Sequence, residues 1–263
     1  METNDKLSKI GKALEIFPEA YDDVIKPAAV EVGKTLALIP SAVNAALLPV
    51  RQWILERDFK LAEIEKLLAQ KLSSVEAEKI QTPETYVAIP ALQAISYSYD
   101  SDELRELYAN LLAKAMNLDT KDQVHPSFVE MIKQMSPIDA SLFELIYERS
   151  HTPLIDLYVE TKTGNLGHIY NLSWITTYSF SDISVSIDNL QRIGLLEIPH
   201  NQEYISNSEY DVVRQTPDYI HAKSKLQELD QGDIGETRKF IRKNALAKSF
   251  YKTCVLPTFA KEC

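Results

Sequence analysis

The chain has 263 residues, of which 45% are hydrophobic and 25% are charged, a composition typical of a globular protein. Its net charge of −10 and pI of about 5.1 exclude a generally basic surface, so contact with nucleic acid or anionic lipid requires a local basic patch. Only seven glycines occur, and their scarcity favours helices over tightly turned sheets. The two cysteines, Cys254 and Cys263, form no disulfide framework and are typical of a reducing compartment, the cytoplasm.

The N-terminal part is predicted to be helical and contains one long uncharged segment. A short amphipathic helix is expected within residues 1–25. Residues 35–50 carry no charge, but they fall short of the roughly 20 residues that a spanning helix needs, and Pro40 and Pro49 interrupt them. Three interpretations stay open: a kinked helix buried in the core, a segment that enters a membrane interface, or, least favoured by the length, a spanning helix. A long helix is then predicted over residues 51–78.

Three amphipathic helices are predicted between residues 100 and 149. Asp100 or Ser101 can cap the first, Pro126 suits the start of the second, and Ser136 caps the third. Their apolar faces at helical spacing are Leu104, Leu107, Tyr108, Leu111, Leu112 and Ala115; Phe128, Met131, Ile132 and Met135; and Ile138, Leu142, Leu145 and Ile146. The short gaps between these helices favour antiparallel packing.

The pattern changes after Arg149. Residues 161–171 are polar and glycine-containing and are expected to form a loop, whereas residues 174–178 are predicted to form a short strand. Ser181 and Asp182 then cap a further helix, which Gly194 ends.

A β-hairpin is predicted from residues 195–198 and 203–205, followed by a loop over residues 230–236. Two helices followed by a hairpin is the order of a winged-helix unit. The predicted fold is therefore mostly α, with an N-terminal helical domain and a winged-helix-like C-terminal domain that has a small β-hairpin. The predicted domains are residues 1–134, with the uncharged segment 35–50, and residues 135–263, with a basic terminal helix at 238–255.

Basic residues are concentrated between Arg238 and Lys252, where six cations occur and no acid. A basic amphipathic helix of this kind binds an anionic lipid surface, nucleic acid or an acidic partner. In the alternative interpretation, acids at Glu228, Asp230, Asp233 and Glu236 balance these cations within the fold. The candidate surface for an anion or a partner consists of Arg192, Arg238, Lys239, Arg242, Lys243, Lys248 and Lys252.

The predicted recognition helix of the winged-helix unit gives a weaker signal for DNA. Its outward residues are predicted to be Ser184, Ser186, Asp188, Gln191 and Arg192. Only Arg192 is basic, and Asp188 is unfavourable beside a phosphate.

No catalytic motif is recognisable, and the five histidines are too far apart in sequence to suggest a metal site. We therefore expect a protein without catalytic residues, cofactor, bound metal or small-molecule substrate.

Three sequence blocks carry a family resemblance: DELRELYANLLAKAMN, VHPSFVEMIKQMSPIDA and SIDNLQRIGLLEI. In this order and spacing they resemble the bacterial abortive-infection family Abi-alpha. The resemblance implies a bacterial or phage-borne protein with a role in phage resistance, and it implies no catalytic residues.

The sequence thus leads us to expect a non-enzymatic phage-defence protein that acts through partner recognition and contact with a membrane surface. The expected partners are another protein or a second copy of the chain, and a peripheral anionic membrane is a further candidate. The alternative is a nucleic-acid-binding, winged-helix regulatory module. The expected location is the cytoplasm, with attachment to the periphery of the inner membrane left open.

Overall fold

The computed structural model describes residues 38–51, 61–98, 101–229 and 232–257. The helix predicted within residues 1–25 lies outside the described residues, as do residues 35–37 of the uncharged segment. The chain forms two compact units. The first unit comprises Met1–Tyr99, Glu106–Val129 and Leu256–Cys263. The second unit comprises Asp100–Arg105 and Glu130–Val255.

The described part of the uncharged segment forms helix α1 (Leu38–Arg51). Ile39, Val43 and Leu47 follow one another at helical spacing and are at most 4% exposed, whereas Ala45 is exposed. Each such burial contributes roughly 1.5–3 kcal/mol relative to exposure. α1 therefore packs as an amphipathic helix with one buried face.

Three further helices follow: α2 (Leu61–Lys71), α3 (Thr85–Tyr97) and α4 (Asp102–Ala115). The long helix predicted to reach residue 78 is too long, because α2 ends at Lys71 and is followed by a short 3₁₀ turn, Ala77–Lys79. The predicted apolar face of α4 is confirmed, since every residue of it is buried.

Helices α5 (Ser127–Lys133) and α6 (Pro137–Glu148) confirm the next two predicted helices. Ser136 and Asp139 form the capping box of α6: the Asp139 N–H donates to Ser136 Oγ at 3.1 Å, and the Ser136 N–H donates to Asp139 Oδ2 at 2.7 Å. Such a cap satisfies two backbone donors that the helix itself leaves unpaired.

Helix α7 (Phe180–Arg192) confirms the helix predicted after residue 181, with two changes at its start. Its cap is Ser179, whose hydroxyl accepts the Asp182 N–H at 3.2 Å, because the helix begins earlier than predicted. Gly194 ends it with φ +82°, as predicted, in a conformation that favours glycine.

The β-structure differs most from the prediction. Strands β1 (Pro153–Thr161), β2 (Gly164–Leu172) and β3 (Asp233–Phe240) form one antiparallel sheet in the order β2-β1-β3. The loop predicted at residues 161–171 is wrong, because those residues turn into β2. The pairing of β1 with β2 shifts register twice. These shifts interrupt the alternation of apolar and polar residues from which a strand is predicted.

The hairpin predicted at residues 195–205 is also wrong. Glu197 makes only an isolated bridge with Arg242, and residues 203–205 form no strand. Residues 174–178 form no strand either. The small sheet exists, but segments distant in sequence build it, since β1 pairs with β3. The winged-helix arrangement stays a prediction.

The basic terminal helix predicted at residues 238–255 is wrong in its first part. Residues 238–240 belong to β3, where pairing with β1 overrides the local helical pattern. A short helix (Ala245–Phe250) and one π-helical turn (Tyr251–Val255) follow.

One face of the sheet packs against the segment that contains helices α8 (Asp211–Arg214) and α9 (Pro217–Gln227). The shared core consists of Ile155, Leu157, Val159, Leu172, Tyr210, Val213, Tyr219, Ala222 and Leu226. Because successive residues of a strand point to opposite faces, Asp156, Tyr158 and Glu160 lie on the other face. This second face is buried at Leu154 and Asp156 and exposed toward Glu160, and we call it the open face.

Candidate functional site

The structure distributes the predicted basic residues over different surroundings. Arg238 points to the helix-covered face, where its Nε lies 2.7 Å from Glu203 Oε2. Lys239 points to the open face, and its Nζ lies 2.7 Å from Asp156 Oδ1 and 3.0 Å from Asn171 Oδ1. The alternation of side chains along β3 therefore separates these two cations.

The next cations are engaged as well. Arg242 pairs with Glu197 through its side chain and through two backbone hydrogen bonds. Lys243 donates from Nζ to the carbonyl oxygens of Tyr147, at 2.6 Å, and Arg149, at the end of α6. Partial burial lowers the pKa of Lys243. These two side chains hold chain segments together, Arg242 in an ion pair and Lys243 by hydrogen bonds to carbonyl oxygens.

The remaining candidates are Arg192, Lys248 and Lys252. Arg192 donates to Gln134 Oε1 at 2.9 Å and to Asn189 Oδ1 at 2.7 Å. Lys248 is exposed, with no ion-pair partner among the described residues, and Lys252 is half-buried. The acids that balance the basic segment are largely Glu203, Asp156 and Glu197, which are not the neighbouring acids named from the sequence.

The outward face of α7 also differs from the prediction. Ser186 is buried at 3% exposure, and Asp188 accepts a hydrogen bond from Asn171 Nδ2 at 3.1 Å. Val185 is 65% exposed instead. An acidic residue and an apolar residue on this surface do not favour contact with DNA.

A polar cluster that the sequence did not indicate lies on the helix-covered face. Arg214 of α8 donates to Glu236 of β3, with Nη2 2.7 Å from Oε2, and Tyr219 of α9 donates its hydroxyl to the same carboxylate. Arg214 Nη1 also lies 2.9 Å from Asp211 Oδ1. We call Arg214, Tyr219 and Glu236 the Glu236 clamp, because they connect two helices to one strand.

The electrostatics of the clamp are those of a stable ion pair. Burial alone would raise the pKa of Glu236, but hydrogen bonds from Arg214 and Tyr219 outweigh it and hold that pKa below its ordinary value. Burial and the neighbouring carboxylate raise the pKa of Tyr219. The hydrogen bond with Glu236 raises the pKa of Arg214. The clamp is therefore charged but internally neutralised at neutral pH.

The open face carries three aromatic rings, of which the middle one, His168, contacts the other two. The His168 ring lies 5.6 Å from that of Tyr158 and 5.5 Å from that of Tyr170, measured between centroids. Tyr170 is 53% exposed, and His168 is also exposed. We call Tyr158, His168 and Tyr170 the aromatic row. The sequence contains one signal for the aromatic row: His168 and Tyr170 are two residues apart, the spacing of side chains on one face of a strand. This signal was missed because the segment was predicted to be a loop.

Gly235 determines how the row sits on the sheet. It pairs with Tyr158 across β3 and β1, and the outer edge of the Tyr158 ring lies directly against it. A Cβ at this position would come within 2.3 Å of that ring. The absence of a side chain in β3 thus makes room for the first ring of the row.

The described residues lack three kinds of functional feature: a cluster of metal ligands, an accessible cysteine and a membrane-spanning helix. Within them, His, Cys, Asp and Glu side chains nowhere gather in groups of three or more that a metal ion could use. Cys254 is fully buried. In the same part of the chain, no helix combines the length and apolar character that crossing a bilayer requires.

The structure thus defines a mostly helical protein with a small antiparallel sheet and an exposed aromatic surface. The family model for abortive infection alpha matches residues 56–254, and the chain belongs to this family. Membership supports a role in abortive infection, a form of phage defence.

Comparisons with individual proteins add little. No curated protein matches the chain. A solved structure of an uncharacterized protein from the hydrocarbon-degrading marine bacterium Alcanivorax borkumensis SK2 is 15% identical to it, with a TM-score of 0.34. That match covers 48% of this chain and 90% of the other.

Proposed function

We propose that this chain takes part in abortive infection without catalysis, by recognising a protein partner through the aromatic row. The observation that carries the proposal is a sheet face on which the exposed His168 ring contacts the half-buried ring of Tyr158 and the ring of Tyr170, which is 53% exposed. Aromatic side chains dominate the energetics of protein interfaces, and contiguous exposed patches of them mark interaction sites.

A non-enzymatic role is supported by the polar clusters that the structure describes. In the Glu236 clamp, the carboxylate already accepts hydrogen bonds from Arg214 and Tyr219. Such a group is poorly suited to accept a proton from a substrate at neutral pH, because the hydrogen bonds lower its pKa.

Membrane-surface contact has weaker geometric support. Arg238, Lys239 and Arg242 each meet a carboxylate of the same chain, so binding a lipid phosphate would require the loss of an ion pair. In α1, Val43 and Leu47 are each 1% exposed and would have to leave their packing to enter a membrane interface.

The test is a phage challenge of cells that carry the His168→Ala/Tyr170→Ala double variant. We expect its protection, measured as efficiency of plating, to fall by at least about tenfold, as for loss of an interface hot spot. Tyr86→Ala is the matched control, because Tyr86 is similarly exposed, at 60%, and lies on α3.

Circular dichroism and thermal melting of the purified proteins establish that both variants fold. If the folded double variant protects as well as the wild-type chain, the aromatic row is not the contact surface and the proposal fails. An equal loss in the Tyr86→Ala control would also contradict it.

A further inference from the structure

The open face carries negative charge that the fold does not compensate. Asp156 is paired with Lys239, but Glu160 is exposed, and among the described residues its carboxylate accepts a hydrogen bond from the Tyr158 hydroxyl, at 3.3 Å, and from no other side chain. Asp188 adds a second acid: Asn171 donates to its carboxylate at 3.1 Å and separates it from Lys239, which donates to Asn171 Oδ1 at 3.0 Å. Among the described residues, no cation lies within ion-pair distance of Glu160 or Asp188.

The aromatic row lies next to this uncompensated charge. Tyr158 contacts both His168 and Glu160, so one continuous surface joins ring faces to a carboxylate. The His168 and Tyr170 rings are nearly parallel, with 3° between their planes. Ring faces attract cations, and a nearby carboxylate strengthens that preference.

Arginine fits this combination better than other side chains. Its guanidinium is planar, stacks on aromatic rings and binds a carboxylate through two parallel hydrogen bonds. Lysine offers a compact, strongly hydrated charge that does not stack. A nucleic acid also offers planar groups, but its phosphates are repelled by the acids of this face and by a chain of net charge −10.

We infer that the open face binds an arginine-bearing segment of a protein partner, with guanidinium groups on the aromatic row and against Glu160. This inference rests on the proposed function and adds to it the chemistry of the partner. The complementarity of charge selects the occupant: an acidic, aromatic surface requires a basic segment.

Binding of a fluorescent octa-arginine peptide to the full-length chain tests the inference, with octa-lysine as the reference peptide. Anisotropy measured at several salt concentrations should show tighter binding of octa-arginine. His168→Ala and Tyr170→Ala should each weaken it by about two- to fivefold, the size of a cation–π contact at an exposed site.

Glu160→Gln should weaken the binding more than Glu144→Gln does. The control residue Glu144 is an exposed acid on α6, so both variants lose the same single charge. If the two substitutions weaken binding equally, the peptide senses only net charge and the inference is overturned. Equal affinity for octa-lysine, or preferential binding of a single-stranded oligonucleotide by the same rings, would also overturn it.

The peptide assay and the phage challenge separate the two ideas. If the aromatic-row variants lose protection but bind octa-arginine like the wild-type chain, the surface acts on a partner of another chemistry and the inference alone fails. If the variants lose the peptide but keep full protection, the proposed function fails.

Discussion

Replacing Arg214 with methionine is expected to destabilise the fold, because it removes the cation from the Glu236 clamp. Methionine keeps much of the apolar length of arginine but donates no hydrogen bond. In the variant, the Glu236 carboxylate stays partly buried and keeps only the Tyr219 hydroxyl as a partner among the contacts of the clamp. Asp211 and Asn207 each lose a donor as well.

The expected magnitude follows from the exposure of the pair. The Arg214 and Glu236 side chains are 22% and 24% exposed, so they are mostly but not fully shielded from water. Breaking a fully buried pair costs about 3–5 kcal/mol, and an exposed pair contributes about 0.2–1 kcal/mol. We therefore expect a loss of about 2–3 kcal/mol, which for a domain of this size lowers Tm by about 4–10 °C.

Thermal and urea unfolding of the full-length chain measure this loss, with Arg192→Met as the matched control. Arg192 bonds to the uncharged side chains of Gln134 and Asn189 on an exposed surface, so its replacement should cost no more than about 0.5 kcal/mol. A Tm for Arg214→Met within about 1 °C of the wild-type value would refute the assignment of the clamp as a stabilising ion pair.

Three further outcomes follow from the structure. The pKa of Glu236 in the folded protein lies below its ordinary value of 4.5, so its ionised carboxylate stabilises the fold above that pH and this stabilisation is lost as the pH falls. The difference in unfolding free energy between the wild type and Glu236→Gln should therefore shrink in acid titrations. Gly235→Ala should displace the Tyr158 ring and weaken octa-arginine binding, while denaturant melts should change by no more than about 1 kcal/mol, because the clash is with the movable end of a half-buried side chain. Lys243→Met should leave the last carbonyls of α6 without their donor and cost about 1–2 kcal/mol by thermal melting, against no measurable loss for Lys248→Met.

Local signals allowed the helices to be predicted. The face of α4 follows from apolar spacing, and the start of α6 follows from Ser136 with a proline and an acid behind it. Such patterns are contained in a few neighbouring residues, so no knowledge of the rest of the chain is needed.

The sheet could not be found in this way. Gly167 and Asn171 both have φ near +60°, and they lie in β2 where its pairing with β1 changes register. Because of these interruptions, apolar and polar residues do not alternate along β2 as they do in a regular strand. Residues 233–236 of β3 were predicted to lie in a loop and residues 238–240 in a helix; both predictions are wrong, because pairing with β1, far away along the chain, determines their conformation.

The candidate surfaces were missed for the same reason. The basic segment was visible as a run of charge, but its partners Glu203 and Asp156 lie far from it in sequence. The Glu236 clamp joins residues of two helices and a strand. No local pattern marks a carboxylate that will be neutralised by tertiary contacts.

One oxygen atom links helices α6 and α7. Asp139 Oδ2 accepts the Ser136 N–H of the α6 cap and, at 2.9 Å, the side-chain amide of Asn189 in α7. Asn189 also donates to the Gln134 carbonyl just before that cap. We therefore expect the first turn of α6 and the last turn of α7 to open together, so that their amide protons exchange with solvent at matched rates.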